Sequence, residues 1–236
     1  MTKQEPPFFS IVVPVRNQCH KLTLFLFELH HRLESSAQPF EVVVIDDGSR
    51  DQTSYVVEKI SQQFPTVRII THSEPLGLGV AARKGILESR GSYILLTRPS
   101  LGTESLEILL KNFSSAREGV LLEKVSLKSS LWPPALFLLG LWRIFNWKLS
   151  LFLPGGVSAR LSPLLFSRSV GAELAQAGRV IHGGYEFEFV FLAKKNKKLV
   201  VFRPASRPFT VWSFPFFYFL TVVKEIVRAH IKSFRK

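Results

Sequence analysis

Over its first hundred residues the chain alternates between short apolar, β-branched runs and longer stretches in which apolar positions recur every three or four residues. Fully apolar short runs read as strands buried on both faces, and the longer pattern reads as crossover helices. Together they predict a mostly parallel sheet flanked by helices. The spacing predicts strands over Ser10–Val15, Phe40–Ile45, Val67–Thr71 and Tyr93–Leu96, with helices over Lys21–Leu33, Asp51–Phe64 and Leu78–Ser89. The run EVVVID, residues 41–46, is apolar enough to be a central strand. A helix over Thr103–Phe113 closes this half, and after it the pattern is less regular. It predicts a strand over Gly119–Leu127, a helix over Leu136–Leu151, helices over Arg168–Ala177 and Glu186–Lys195, and a short strand over Leu199–Phe202. A last helix is expected over Phe219–Ser233, with Lys224, Arg228 and Lys232 at four-residue spacing on one face.

Charge changes this picture at the far end. Lys and Arg outnumber Asp and Glu by 31 to 18, for a net charge of +13, and eleven basic residues against the single acid Glu225 fall from Lys194 onward. Such a block attracts anionic partners, either lipid headgroups or nucleic acid. The neighbouring run FTVWSFPFFYF, residues 209–219, is apolar and aromatic. That pairing favours an anionic membrane surface over nucleic acid. The apolar stretches 131–153 and 208–223 are broken by prolines and charges. Both fall short of the roughly 20 apolar residues that span a bilayer, so they are expected to be interfacial or re-entrant. Cys19 is the only cysteine, which rules out an intrachain disulfide and fits a reducing compartment. The opening residues MTKQEPPFFSIVVPV do not resemble a signal peptide. The expectation is a protein on the cytoplasmic face of a membrane, with residues 1–207 forming one domain and 208–236 a membrane-associating tail of amphipathic, surface-lying helices.

The strongest chemical signal is VVVIDDGSRDQT, residues 42–53, where a buried strand runs into two acids, a glycine and then Ser49 and Asp51, either able to cap the following helix. At the carboxyl end of a parallel strand this is where α/β folds place a ligand, and a carboxylate there can accept hydrogen bonds from a base or ribose. The plainer possibility is that Asp46 and Asp47 only start a turn. Two other segments accompany it: PVRN, residues 14–17, ends the first strand, and GLGVAARKG, residues 77–85, opens a helix.

In order and spacing, IVVPVRNQ, VVVIDDGSRDQT, GLGVAARKGI and RGSYILL resemble the family 2 glycosyltransferases, and among them the dolichyl-phosphate and polyprenyl-phosphate mannose or glucose synthases. The likeness covers residues 8–115, a nucleotide-binding half. It extends more thinly through LLFSRSVGAEL, residues 164–174, and GYEFEFVFLAKK, residues 184–195, in an acceptor half over 116–207. The resemblance implies a GT-A fold and transfer of a sugar, with inversion, from a UDP- or GDP-linked donor to a polyprenyl-phosphate lipid. It also implies a donor site in which Pro14, Val15, Arg16 and Asn17 surround the nucleotide, Asp46 meets the base with Asp47 nearby, and Gly77, Gly79 and Arg83 lie near the ribose and diphosphate.

The family's Asp-x-Asp-like motif, whose carboxylates bind Mg or Mn on the donor diphosphate, is matched here by Arg98-Pro99-Ser100. A guanidinium repels the divalent cation that carboxylates would hold. Two readings follow. In one, Arg98 itself neutralises the diphosphate without a metal; in the other, chemistry is lost and the chain is a non-catalytic homologue binding a nucleotide sugar or a protein partner. Further departures are Gln18 for the family's Glu, Ser158 and Ser162 for an acid and a glycine, and Leu164 for a Lys. Glu186 and Glu188 match acids of the family's later segment, and Glu186 is the candidate to orient or deprotonate an acceptor; the alternative is that both simply favour a helix N-terminus. The six histidines show no ligand spacing and read as packed or solvated.

Overall fold

The computed structural model describes residues 6–34, 38–101, 103, 106, 110–124, 127–128, 163–204, 209–210 and 228. Four parallel strands, β1 (Phe9–Val15), β2 (Phe40–Asp46), β3 (Val67–Thr71) and β4 (Tyr93–Leu96), are linked by α1 (Cys19–Glu34), α2 (Thr53–Gln63) and α3 (Leu78–Glu88). There follow β5 (Gly119–Lys124), β6 (Leu127–Lys128), β7 (Leu164–Ser167), α4 (Arg168–Ala177), α5 (Tyr185–Lys195), β8 (Leu199–Pro204) and β9 (Phe209–Thr210). The main sheet has the order β3-β2-β1-β4-β7-β5-β8, with β7 antiparallel to both its neighbours, and β6 and β9 pair separately.

Strand alternation explains how one sheet is covered twice. Val12, Val43 and Ile45 face Ala81, Ala82 and Ile86 of α3 and Val170 and Leu174 of α4. Ile11, Val13, Val42 and Val44 face the opposite way, onto Leu22, Leu26 and Leu29 of α1 and Val57 and Ile60 of α2. All of these side chains are buried, each worth about 1.5–3 kcal/mol relative to exposure if large. Gly85 is required by this packing, since a Cβ there would stand 2.3 Å from Ile45 Cδ1.

Two differences from the sequence expectation concern the second half. The single strand over 119–127 is split: β5 stays in the main sheet and β6 leaves it to pair with β9. The reversed strand β7 is hidden in the sequence because Leu164–Ser167 is four residues long and passes into α4 at Arg168 with no intervening turn residue. Of the helix expected over Thr103–Phe113, positions 106, 110 and 111 are described and helical, and a 3-10 turn over Phe113–Ala116 follows. The expected helix over Leu136–Leu151, the apolar stretch 131–153, Ser158, Ser162 and nearly all of the basic tail lie outside the described residues. Among those described, no helix is long and apolar enough to cross a membrane.

At the amino ends of the strands a buried polar knot holds the sheet together. Glu41 accepts hydrogen bonds from Ser10 Oγ at 2.5 Å, the Arg90 amide at 2.7 Å and Arg68 Nε at 3.0 Å, while Ser10 Oγ accepts from the Gly91 amide at 2.8 Å. Burial pushes the Glu41 carboxyl up, but the hydrogen bonds from Ser10, Arg90 and Arg68 and the Arg68 charge outweigh it, leaving the group below its ordinary value.

Candidate functional site

The strand order reverses between β1 and β4: β2 and β3 lie on one side of β1, and the chain returns to place β4 on the other. Ligands of open α/β sheets bind outside the carboxyl ends of the strands at such a reversal. Here the reversal is bounded by Arg16 and Asn17 after β1 and by Thr97 and Arg98 after β4. Leu96 pairs with Val12, so the two departing segments leave the sheet side by side.

The β1–α1 and β2–α2 loops are laced into one rim. The Asn17 amide donates to Ser49 Oγ at 2.8 Å, and the Arg50 amide donates to Asn17 Oδ1 at 2.8 Å. Asn17 adopts the left-handed conformation, φ 51°, which asparagine tolerates better than most residues. The Gln18 amide donates to Thr53 Oγ1 at 3.1 Å and the Cys19 amide to Asp51 Oδ2 at 3.2 Å. The open donors at the start of α1 are therefore satisfied from the neighbouring loop, so α1 begins two residues before the local pattern predicts. Asp51 also accepts from the Thr53 amide at 3.0 Å, at the start of α2. These bonds hold its carboxyl below the ordinary value despite an opposing desolvation.

Ser49 does not cap α2, as the sequence allowed, but turns back: its amide, at 3.1 Å, and its hydroxyl both donate to Asp46 Oδ1. Ser54 donates its hydroxyl to Asp46 Oδ2. Asp47 accepts from the Leu76 amide at 2.8 Å and from the Gly77 amide at 2.9 Å, and His72 Nδ1 lies 3.1 Å from it. Both aspartates are fully buried. Their carboxylates tie loops together, Asp46 within its own turn and Asp47 to the entrance of α3. Of PVRN, Pro14 and Val15 are buried in β1, while Arg16 and Asn17 are exposed.

Gly77, Gly79 and Arg83 make a contact the sequence did not announce. The Gly79 amide donates to the Ile181 carbonyl at 2.8 Å, and Arg83 Nη1 donates to the Val180 carbonyl at 2.6 Å. A Cβ at Gly77 would lie 2.4 Å from Ile181 O, and one at Gly79 2.2 Å from Val180 O. The start of α3 is thus a bed for the segment between α4 and α5. Glu188, fully buried, completes that seat by accepting from the Arg179 amide at 2.7 Å and the Val180 amide at 3.0 Å. Burial lowers the Arg83 guanidinium from the ordinary arginine range, and the Glu188 charge opposes that shift.

The two residues singled out for chemistry, 88 positions apart, meet. Arg98 Nη1 lies 3.2 Å from Glu186 Oε1, the arginine side chain keeping 19% of its surface exposed and the glutamate 8%. Glu186 sits in the first turn of α5, where the helix dipole favours an acid and where Gly184 provides no side-chain cap. It is therefore not an open base but half of an ion pair. A divalent cation does not fit the residues present at this position. They offer a guanidinium, a proline and an exposed serine, and the carboxylate of Glu186 is already engaged with the guanidinium. Among the described residues no cluster of three or more His, Cys, Asp or Glu could hold a metal.

Residues 10–97 match the model described as Glycosyl transferase family 2. Over 94 residues the chain is 42% identical to the dolichyl-phosphate beta-glucosyltransferase of Homo sapiens, covering 37% of this chain and 29% of that protein. The Saccharomyces cerevisiae protein of the same description is 35% identical over 95 residues, covering 38% and 28%. The matched stretch spans less than a third of these curated relatives' own length. Among solved structures, a mannosyltransferase from Pyrobaculum calidifontis in complex with GDP-Man and Mn2+ superposes with a TM-score of 0.60 at 14% identity, covering 99% of this chain and 66% of that one. Glucosyl-3-phosphoglycerate synthase from Mycobacterium tuberculosis, in complex with Mn2+, UDP and phosphoglyceric acid, gives 0.61 at 13% identity, covering 96% and 78%. At such identities the likeness is one of fold.

Proposed function

With residues 10–97 matching the model of glycosyl transferase family 2 and the fold being GT-A, we propose that the chain transfers a hexose from a UDP- or GDP-linked donor to a polyprenyl phosphate at a membrane surface. The observation that carries this reading is the cleft at the β1/β4 reversal, with a braced, exposed Arg16–Asn17 turn on one side and Arg98 on the other. The dolichyl-phosphate relatives support the acceptor class, and the nucleotide-bound neighbours support the donor class.

In the transfer, an oxygen of the lipid phosphate attacks the anomeric carbon. The bond from that carbon to the diphosphate oxygen breaks, and the nucleoside diphosphate leaves with the electron pair. A lipid phosphate is already anionic, so the attack needs no strong base. This suits a site whose candidate carboxylate, Glu186, is committed to an arginine. What the step does need is stabilisation of charge on the departing diphosphate, which is the work of fixed donors and cations in the cleft. The basic aromatic tail would hold the domain against anionic lipid on the cytoplasmic face, where nucleotide sugars are supplied.

The test is transfer itself. The full chain is incubated with vesicles containing dolichyl phosphate and with radiolabelled UDP-glucose or GDP-mannose, and label is followed into the organic phase. Lipid-linked sugar formed from one donor and dependent on dolichyl phosphate is the expected result. Donor binding with no transfer to any polyprenyl phosphate would overturn the proposal in favour of a binding protein.

A further inference from the structure

The ion pair at the β4 end of the cleft has a consequence beyond sugar transfer as such. Building on the donor reading above, we infer that the donor's diphosphate is held without a divalent cation, by a clamp in which Arg98 is the phosphate ligand and Glu186 the residue that positions it.

Three observations carry this. First, Arg98 is the second residue past the end of β4 at the switch point, and its side chain is the more open member of the pair, 19% exposed against 8%. A guanidinium has five N–H donors in a fixed plane that matches phosphate oxygens, and its 3.2 Å contact to Glu186 is made through Nη1. Second, Glu186 is itself held, because it lies in the first turn of a helix whose loop is anchored through Glu188 to the amides of Arg179 and Val180 and thence to α3. A long flexible arginine is thereby fixed in advance, which reduces the ordering cost of binding an anion. Third, the Thr97 hydroxyl beside Arg98 is buried and has no hydrogen-bond partner among the described residues. A buried hydroxyl with no partner among the described residues can be satisfied by a ligand oxygen or by water, and a phosphate oxygen is one such acceptor.

As a unit the Arg98–Glu186 pair is neutral, so the clamp needs a second cation. Arg16 supplies it: exposed, and following β1, the strand paired with β4. With Arg16 the cluster carries one net positive charge, and its two guanidinium groups offer the diphosphate directional donors in place of a coordination sphere.

The experiment is calorimetric titration of the full chain with UDP and with GDP, in EDTA and in Mn2+, beside uridine and guanosine as probes lacking the diphosphate. The nucleotide that binds is expected to do so with affinities within about twofold in the two buffers. Arg98→Ala is expected to weaken it about tenfold or more while leaving nucleoside binding unchanged, and Arg98→Lys to restore part of the loss. Glu186→Gln is expected to weaken the diphosphate by a smaller factor, again without effect on the nucleoside, and Glu186→Asp to recover some of it. A merely structural glutamate would instead affect both probes alike. If Arg98→Ala does not fold, the Lys and Gln variants carry the test through the same ratio of diphosphate to nucleoside affinity. Binding that requires Mn2+, or diphosphate binding unchanged in the Arg98 variants, would overturn the clamp and leave the donor reading standing. No binding of either nucleotide in either buffer would overturn both.

Discussion

The two sides of the cleft are built on opposite principles. On the β1–β2–β3 side the three aspartates are spent on the protein itself: Asp46 on Ser49 and Ser54, Asp47 on His72 and the amides of Leu76 and Gly77, and Asp51 on two helix starts. On the β4 side a cation is held in place by a carboxylate from a helix almost ninety residues further on, with part of its surface left open. The first arrangement makes a stiff rim, and the second presents charge at a chosen point. The difference teaches that the acid pair most conspicuous in the sequence braces loops, while Arg98, paired with a distant glutamate, keeps part of its surface open.

Substitutions on the two sides should therefore fail differently. Asp47→Ala, which strands the amides of Leu76 and Gly77 and a buried histidine, is expected to cost about 4 kcal/mol in denaturant unfolding and to damage the whole domain; a loss under about 1 kcal/mol would break the contrast. Gly79→Ala drives a methyl group against the Val180 carbonyl and is expected to cost about 3 kcal/mol. Limited proteolysis of that variant should show the segment 178–184 opening before the rest.

Away from the cleft, Glu41→Gln should cost about 1–2 kcal/mol at neutral pH. The Glu41 carboxyl is held below its ordinary 4.5, so its contribution is fully present above that value and is lost as pH falls through the folded-state value. Unfolding curves of the variant should accordingly flatten, relative to wild type, below about pH 4.5. The smallest stability effect is expected from the pair itself. Replacing both members, Arg98→Met with Glu186→Leu, should leave unfolding free energy within about 1 kcal/mol of wild type, because an almost buried ion pair repays little more than its desolvation. The same double variant should bind the nucleoside diphosphate about tenfold or more weakly, with nucleoside binding unchanged. A large loss of stability there would mean that the second side, too, is scaffold.

Much of the fold was legible along the chain. The strands over 67–71 and 93–96 and the helix over 168–177 fall where apolar periodicity places them, and β1, β2, α2 and α3 differ by no more than two residues at either end. Such elements carry their signal locally, in a period of two or 3.6 set by which faces must be dry. Where the expectation failed, the deciding partner was distant. The early start of α1 depends on Thr53 and Asp51, β7 is defined by its pairing with β4 and β5, and β6 leaves the sheet for residues 209–210.

The same division runs through the candidate site. The sequence by itself determined the sheet, the acidic turn after its second strand, the glycine-opened third helix and the arginine standing where a metal-binding acid would be expected, because each is written in adjacent residues. Only the tertiary structure decided that the two acids of the turn are inward braces, that Gly77 and Gly79 admit the backbone of residues 180–181, and that Arg98 is held by Glu186. Hydrogen bonds and ion pairs between segments 29 to 97 residues apart depend on how the sheet orders its strands, and no local pattern records that order.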